Sequence, residues 1–118
     1  MHLRRMRTLL VALTAILLVF GASAFGGVQS EDAVLLTVSV IDVGQGDSVL
    51  IATSDGHAML VDGGPADASS KVINAISKAG LDRLDVLVST HPHADHIGGL
   101  ARVLDGVRVD RVIDSGKV

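Results

Sequence analysis

The chain has 118 residues, 48% hydrophobic and 19% charged, and a positive mean hydropathy. That composition excludes a disordered charged tail and leaves room for one small domain at most. With a formal charge of −3, no cysteine, and Phe20 and Phe25 as its only aromatic residues, the chain has neither a disulfide framework nor a general electrostatic pull on nucleic acid.

Arg4, Arg5 and Arg7 precede a 13-residue apolar run, Thr8 to Phe20, and Ala22-Ser23-Ala24 follows as an A-x-A site. This is the pattern of an export signal. The run is shorter than the roughly 20 residues of a spanning helix, so cleavage before Phe25 is expected, with an uncleaved N-terminal anchor as the alternative. Residues 1–24 therefore read as a signal peptide, 25–33 as a linker and 34–118 as the folded part of an extracytoplasmic or secreted protein. Cleavage removes three arginines and leaves seven bases against 13 acids, a formal charge of −6.

Val34 to Val43 alternates, with Leu36, Val38 and Val40 on one side and Thr37 and Ser39 on the other, which predicts a strand with one buried face. Gly44-Gln45-Gly46-Asp47 breaks the run, Ser48 to Thr53 resumes it, and a turn at Ser54-Asp55-Gly56 leads into His57 to Asp62. Three strands joined by tight turns predict an antiparallel meander that ends at Gly63-Gly64-Pro65. From Ser69 the period changes: Val72, Ile73, Ile76 and Ala79 fall at helical spacing, with Ser69 or Ser70 as cap and Gly80 as terminator. Asp85 to Thr90 is a fourth strand, Ala94 to Leu104 a second helix and Val107 to Ile113 a last strand, giving an α/β chain of order βββαβαβ.

His91, His93, Asp95 and His96 lie within six residues, directly after an apolar strand. On an extended segment i and i+2 project to one side, so His91 and His93 can offer two imidazoles to one ion, and Pro92 stiffens them. If a helix starts at Ala94, Asp95 and His96 can face a second ion about 3.5 to 4 Å from the first. Imidazole and carboxylate donors without thiolate suit zinc, with manganese or iron admitted. A surface loop with several histidines, or a helix N-terminus at which Asp95 merely complements the dipole, explains the placement after a strand less well.

THPHADHIGG resembles the HxHxDH signature of the metallo-β-lactamase-fold hydrolases, and the resemblance extends over about residues 36–113. VSVIDVGQGDSVLI followed by HAMLVDGG is similar to the metallo-hydrolase domain of DNA-uptake competence proteins and their stand-alone relatives. The resemblance implies a four-layer αββα fold, of which this chain has the order of the first half. It also implies two divalent metal ions: His91 and His93 on the first, Asp95 and His96 on the second, with Asp95 orienting a bridging hydroxide. Asp62 resembles the family's first acidic position, a support behind the metal loop; by composition alone it is an ordinary turn aspartate.

Gln45, Gly46 and Asp47 admit two readings. One is a turn needing positive φ at its glycines, the other a loop at the mouth of the active site, as the resemblance suggests. A dinucleotide loop is excluded because a strand follows and not a helix. Gly98 and Gly99 would each cost about 1 kcal/mol inside a helix, which close approach of the helix backbone to the metal loop would explain. His57 is expected at the solvent-facing start of its strand and is not enlisted as a ligand.

The resemblance also implies three further ligands, two of them histidines, but no histidine follows His96. Asp105, Asp110 and Asp114 do not replace imidazoles. The chain is therefore expected to be inactive alone, as the N-terminal part of a metal-dependent hydrolase of phosphodiester or related ester bonds, in a small molecule or a nucleic acid. The alternatives are a half-domain completed by another chain, a non-catalytic metal-binding remnant, and another ester, lactam or thioester hydrolase of the same fold. Membrane contact is expected only through an uncleaved signal segment. One sheet face would lack its cover, and an aggregation-prone product is expected.

Overall fold

Short runs of β-formers between glycine turns do pair as neighbours. In the computed structural model, which describes residues 33–116, β1 (Leu36–Val40), β2 (Val49–Thr53) and β3 (Ala58–Val61) form the antiparallel meander. The expected export signal and nearly all of the expected linker lie outside the described residues. Among the described residues, no helix is long and apolar enough to cross a membrane.

A 3-10 turn at Ala66–Ala68 feeds directly into helix α1, Ser69–Lys78. Neither serine caps it, contrary to expectation: Ala68 holds the cap position without a side-chain bond, and the Ser69 N–H already donates to the Ala66 carbonyl. Gly80 ends the helix as expected, at φ 74°, where its N–H donates to the Ser77 carbonyl. The left-handed conformation is why glycine suits that position.

After α1 come β4 (Arg83–Leu84) and β5 (Val86–Ser89), the latter parallel to β3. The helix expected over Ala94 to Leu104 is broken into α2 (Ala94–Ile97) and α3 (Leu100–Gly106), with Gly98 and Gly99 at the break. A Cβ on Gly99 would lie 2.1 Å from the Gly63 carbonyl oxygen, and one on Gly98 would lie 2.7 Å from the Ala66 nitrogen. The close approach is thus to the segment after β3 as well as to the metal loop, whose Ala94 carbonyl oxygen would lie 2.5 Å from a Cβ on Gly98. Backbone bonds lock it, from Gly63 N–H to His96 carbonyl (2.7 Å) and from Gly99 N–H to Gly64 carbonyl (2.9 Å).

The single strand expected over Val107 to Ile113 is split as well. β6 (Arg108–Val109) pairs with β4 in a separate two-stranded ladder, and β7 (Val112–Asp114) joins β5 in the main sheet, whose order is β1-β2-β3-β5-β7. The switch occurs at Asp110, whose N–H donates to Leu84 and whose carboxylate pairs with Arg83 at 3.3 Å and Arg108 at 3.1 Å.

The core lies on one side of the main sheet. Leu50, Leu60 and Leu87 stand in register across β2, β3 and β5 and pack with Val72 and Ile76 of α1 and Leu100 and Val103 of α3. Burial of such side chains is worth about 1.5–3 kcal/mol each before ordering entropy is subtracted. The opposite side carries Val38, Ile51, Met59 and Val86 in one row and Val40, Val49, Val61, Val88 and Ile113 in the next. These residues are half-buried or exposed, and Leu36, Val38 and Val40 are 65%, 58% and 79% exposed. The expectation that β1 has a buried face is overturned, because its register puts its apolar side on the face away from the helices.

Candidate metal centre

β3 and β5 run parallel, so their C-terminal ends lie side by side, with the Asp62 N–H donating to the Val88 carbonyl at 2.9 Å. In sheets of this kind, sites form just beyond such strand ends. Asp62 leaves β3 at φ 56°, the one non-glycine residue with positive φ among the described residues, and its residue is 2% exposed. Aspartate tolerates this left-handed conformation better than most residues. The turn aims its carboxylate at the end of β5.

Both carboxylate oxygens are engaged by donors. Oδ1 accepts from the Thr90 N–H at 2.9 Å, and Oδ2 accepts from the Thr90 hydroxyl at 2.6 Å and from His96 Nδ1 at 3.0 Å. The Ser48 hydroxyl, fully buried, donates to the Asp62 carbonyl at 3.0 Å. Burial pushes the Asp62 carboxyl up, but the Thr90 hydroxyl, the Thr90 N–H and the His96 ring outweigh it and hold the group below the ordinary carboxylate value. His96 moves the opposite way: its bond to Asp62 raises it, against desolvation, with the charges of Asp62, Asp95 and Asp47 adding.

Asp62, His91 and His96 each present a ligand atom within 4.8 Å of the other two. The His91 and His96 rings are 4.0 Å apart between centroids, and His93 meets His91 edge-on at 4.8 Å. His93 holds the N-cap position of α2 in an extended conformation and is exposed, immediately before the helix carrying Asp95 and His96. His93 and Asp95 are not members of the three-residue cluster. Asp95 acts on His96 through its charge. The donor set fits a divalent cation: imidazoles from the loop after β5 and from α2, with a buried carboxylate bonded to Nδ1 of His96.

The Gly44–Asp47 loop lies against this motif. Gly44 and Gly46 both have positive φ, 82° and 95°, and a Cβ on Gly46 would lie 1.8 Å from the Asp95 carbonyl oxygen. The two readings of the loop are thus compatible, since a turn that requires glycine also seats against Asp95. Asp47 Oδ2 stands 3.7 Å from His96 Nδ1, the Asp47 carbonyl accepts from Gly64 N–H at 3.0 Å, and Gln45 is exposed. His57 lies elsewhere, exposed and 3.3 Å from Asp85. Sequence reasoning missed Thr90 and Ser48. For Thr90 the one available signal was a hydroxyl residue immediately before the first motif histidine.

The model of the metallo-beta-lactamase superfamily matches residues 41–117. The chain is 41% identical over 66 residues to Competence protein ComA of Neisseria gonorrhoeae, an alignment covering 56% of this chain and 10% of that protein. It is 36% identical over 74 residues to Anti-Pycsar protein Apyc1 of Bacillus phage 010DV004, covering 57% of this chain and 28% of that one. Among solved structures it is similar to the metallo-beta-lactamase MIM-1 from Novosphingobium pentaromativorans, with a TM-score of 0.45, 34% identity, and coverage of 53% of this chain and 24% of that chain. The chain thus spans less than a third of the length of each of these relatives. With the family model matching well over half of its residues, the chain belongs to the metallo-beta-lactamase superfamily.

Proposed function

We propose that the chain carries the metal-binding part of an exported metal-dependent hydrolase of the competence-like branch, acting on phosphodiester bonds. The observation that carries this reading is the convergence of His91, His96 and Asp62 within 4.8 Å beyond the ends of two parallel strands. The superfamily generally binds divalent metals, and this group brings together His91 and His96, one candidate ligand for each of two ions, with Asp62 bonded to the His96 ring. His91 and His93 would hold a first ion, and Asp95 and His96 a second, zinc being the leading choice and manganese or iron the others. When bound, such an ion supplies Lewis-acid activation of water, lowering its pKa towards about 7.

The residues of this chain do the positioning. Asp62 orients the His96 ring through Nδ1, Gly46 lets the Gly44–Asp47 loop seat against Asp95, and Asp47 extends the negative charge beside His96. A net charge of −3 gives no general attraction for a polyanion, so a phosphodiester substrate would have to be drawn by bound metal. Phosphodiester chemistry is preferred over lactam or thioester on the resemblance of VSVIDVGQGDSVLI to the competence-type metallo-hydrolase domain, which the likeness to Competence protein ComA supports.

The full product of the gene, loaded with Zn²⁺ or Mn²⁺, is expected to cleave a chromogenic phosphodiester and to lose that activity in a His91→Ala plus His93→Ala variant. Cleavage of a lactam or thioester reporter in its place would change the substrate class, and metal-independent cleavage would remove the reading. A second reading is a metal-binding module without turnover, favoured by the convergence of Asp62, His91 and His96 alone, with His93 and Asp95 outside the cluster. It expects metal binding with no cleavage of any reporter.

A further inference from the structure

Thr90 is the last residue before the histidine motif, and its side chain has two partners. Its hydroxyl oxygen lies 2.6 Å from Asp62 Oδ2 and 2.9 Å from His91 Nδ1. A hydroxyl has one proton to give and lone pairs to receive with. The Asp62 carboxylate is already ringed by N–H donors, with Thr90 N–H on Oδ1 and His96 Nδ1 on Oδ2, so it has no proton to offer the hydroxyl. The Thr90 proton therefore goes to Asp62. What remains at Oγ1 is a lone pair, and the contact with His91 Nδ1 is a hydrogen bond only if Nδ1 carries the proton.

We propose that Thr90 is a positioning residue that fixes the tautomer of His91, holding the proton on Nδ1 and leaving the Nε2 lone pair free for a divalent cation. The direction of donation runs from His91 Nδ1–H to Thr90 Oγ1–H to Asp62 Oδ2, and from His96 Nδ1–H directly to the same oxygen. One buried carboxylate thus presets two imidazoles, the nearer by direct contact and the farther through a hydroxyl. The role of the free Nε2 rests on the metal reading above; the tautomer itself rests on the hydrogen-bond chain alone.

A purely structural Thr90, tying the end of β5 to Asp62, would affect stability and leave the His91 ring indifferent. Long-range ¹H–¹⁵N correlation NMR of the metal-free 118-residue chain at alkaline pH separates the two. His91 is expected as the Nδ1–H tautomer, and His93, which has no hydrogen bond to a described side chain, as the Nε2–H tautomer ordinary for a free ring. Thr90→Val, which keeps the shape and removes the relay, is expected to move His91 to Nε2–H, while Thr90→Ser restores Nδ1–H. His96 is expected to stay on Nδ1–H in all of these, because its bond to Asp62 is direct.

Zn²⁺ titration of the same proteins is expected to show affinity falling about 10- to 100-fold in Thr90→Val and returning in Thr90→Ser. An Nε2–H His91 in the parent chain, or an unchanged tautomer in Thr90→Val, would overturn the proposal. If valine prevents folding, the tautomers of the parent and the serine variant decide it. A parent chain with Nδ1–H at His91 that binds no Zn²⁺ would uphold the relay and sink the metal reading.

Discussion

Asp62 and His96, 34 residues apart in sequence, meet at 3.0 Å between Oδ2 and Nδ1. The contact joins the end of a central strand to α2, the short helix that carries the last two residues of the histidine motif. The Gly63 N–H donates to the His96 carbonyl at 2.7 Å, so the two segments are held by backbone as well as by side chain.

The pH dependence of the metal-free chain follows from this pair. His96 is raised by its bond to Asp62, so its contribution to stability is complete below its unfolded value of about 6.5 and is lost as pH rises through the higher folded value. Asp62 is lowered despite its burial, so its contribution is present above about pH 3.9 and is lost as pH falls through the lower folded value. Urea midpoints are expected to be higher at about pH 5.5 than at about pH 8.5, and the difference should shrink in His96→Gln. A pH difference untouched by that substitution would count against the pair.

Removing the carboxylate tests its three donors. Asp62→Ala leaves Thr90 N–H, the Thr90 hydroxyl and His96 Nδ1 without their acceptor, at a cost of about 1–3 kcal/mol or more. It also places alanine at φ 56°, a left-handed conformation that aspartate tolerates better, which adds to the loss. Asp62→Asn keeps an acceptor oxygen and tolerates the left-handed backbone, so chemical denaturation should show the smaller loss. Equal losses would mean that neither the backbone nor the remaining oxygen matters.

Gly44 and Gly46 form a matched pair for testing loop seating. Both have positive φ, but a Cβ on Gly44 meets nothing within 4 Å while one on Gly46 collides with the Asp95 carbonyl. Gly44→Ala is expected to cost about 1–2 kcal/mol through backbone strain alone. Gly46→Ala should cost more and should also weaken Zn²⁺ binding, because it must displace the turn carrying Asp95 and His96. Calorimetric titration of both variants checks this, and equal metal affinities would separate the loop from the site.

The apolar face of the sheet should show itself in solution. Val38 and Val40 are 58% and 79% exposed, so Val38→Lys and Val40→Lys are expected to change stability by no more than about 0.5 kcal/mol. Both should reduce self-association measured by sedimentation, since the two rows they interrupt continue through Ile51 and Val49 respectively into β3. A large loss of stability would show that this face is buried after all.

The hydrophobic period and the glycine turns made the meander, the helix from Ser69 and the site's position after β5 readable, because each depends on neighbours in the chain. What escaped was set by long-range contact. Gly98 and Gly99 break their helix because Gly63 and Ala66 crowd it, and Val107 to Ile113 divides because Asp110 bonds to Leu84. The alternation of β1 was read correctly, but the side its apolar residues face depends on where the helices pack, which no period within β1 encodes. Likewise, His91, His93, Asp95 and His96 stand out by spacing, whereas the bonding of Asp62 depends on Thr90, 28 residues away.

Zn²⁺ titration of the 118-residue chain tests most directly whether His91 and its neighbours bind a divalent cation. The parent chain is expected to bind Zn²⁺ and the His91→Ala plus His93→Ala variant to lose that binding. Unchanged affinity in the variant would place the metal elsewhere and contradict the account.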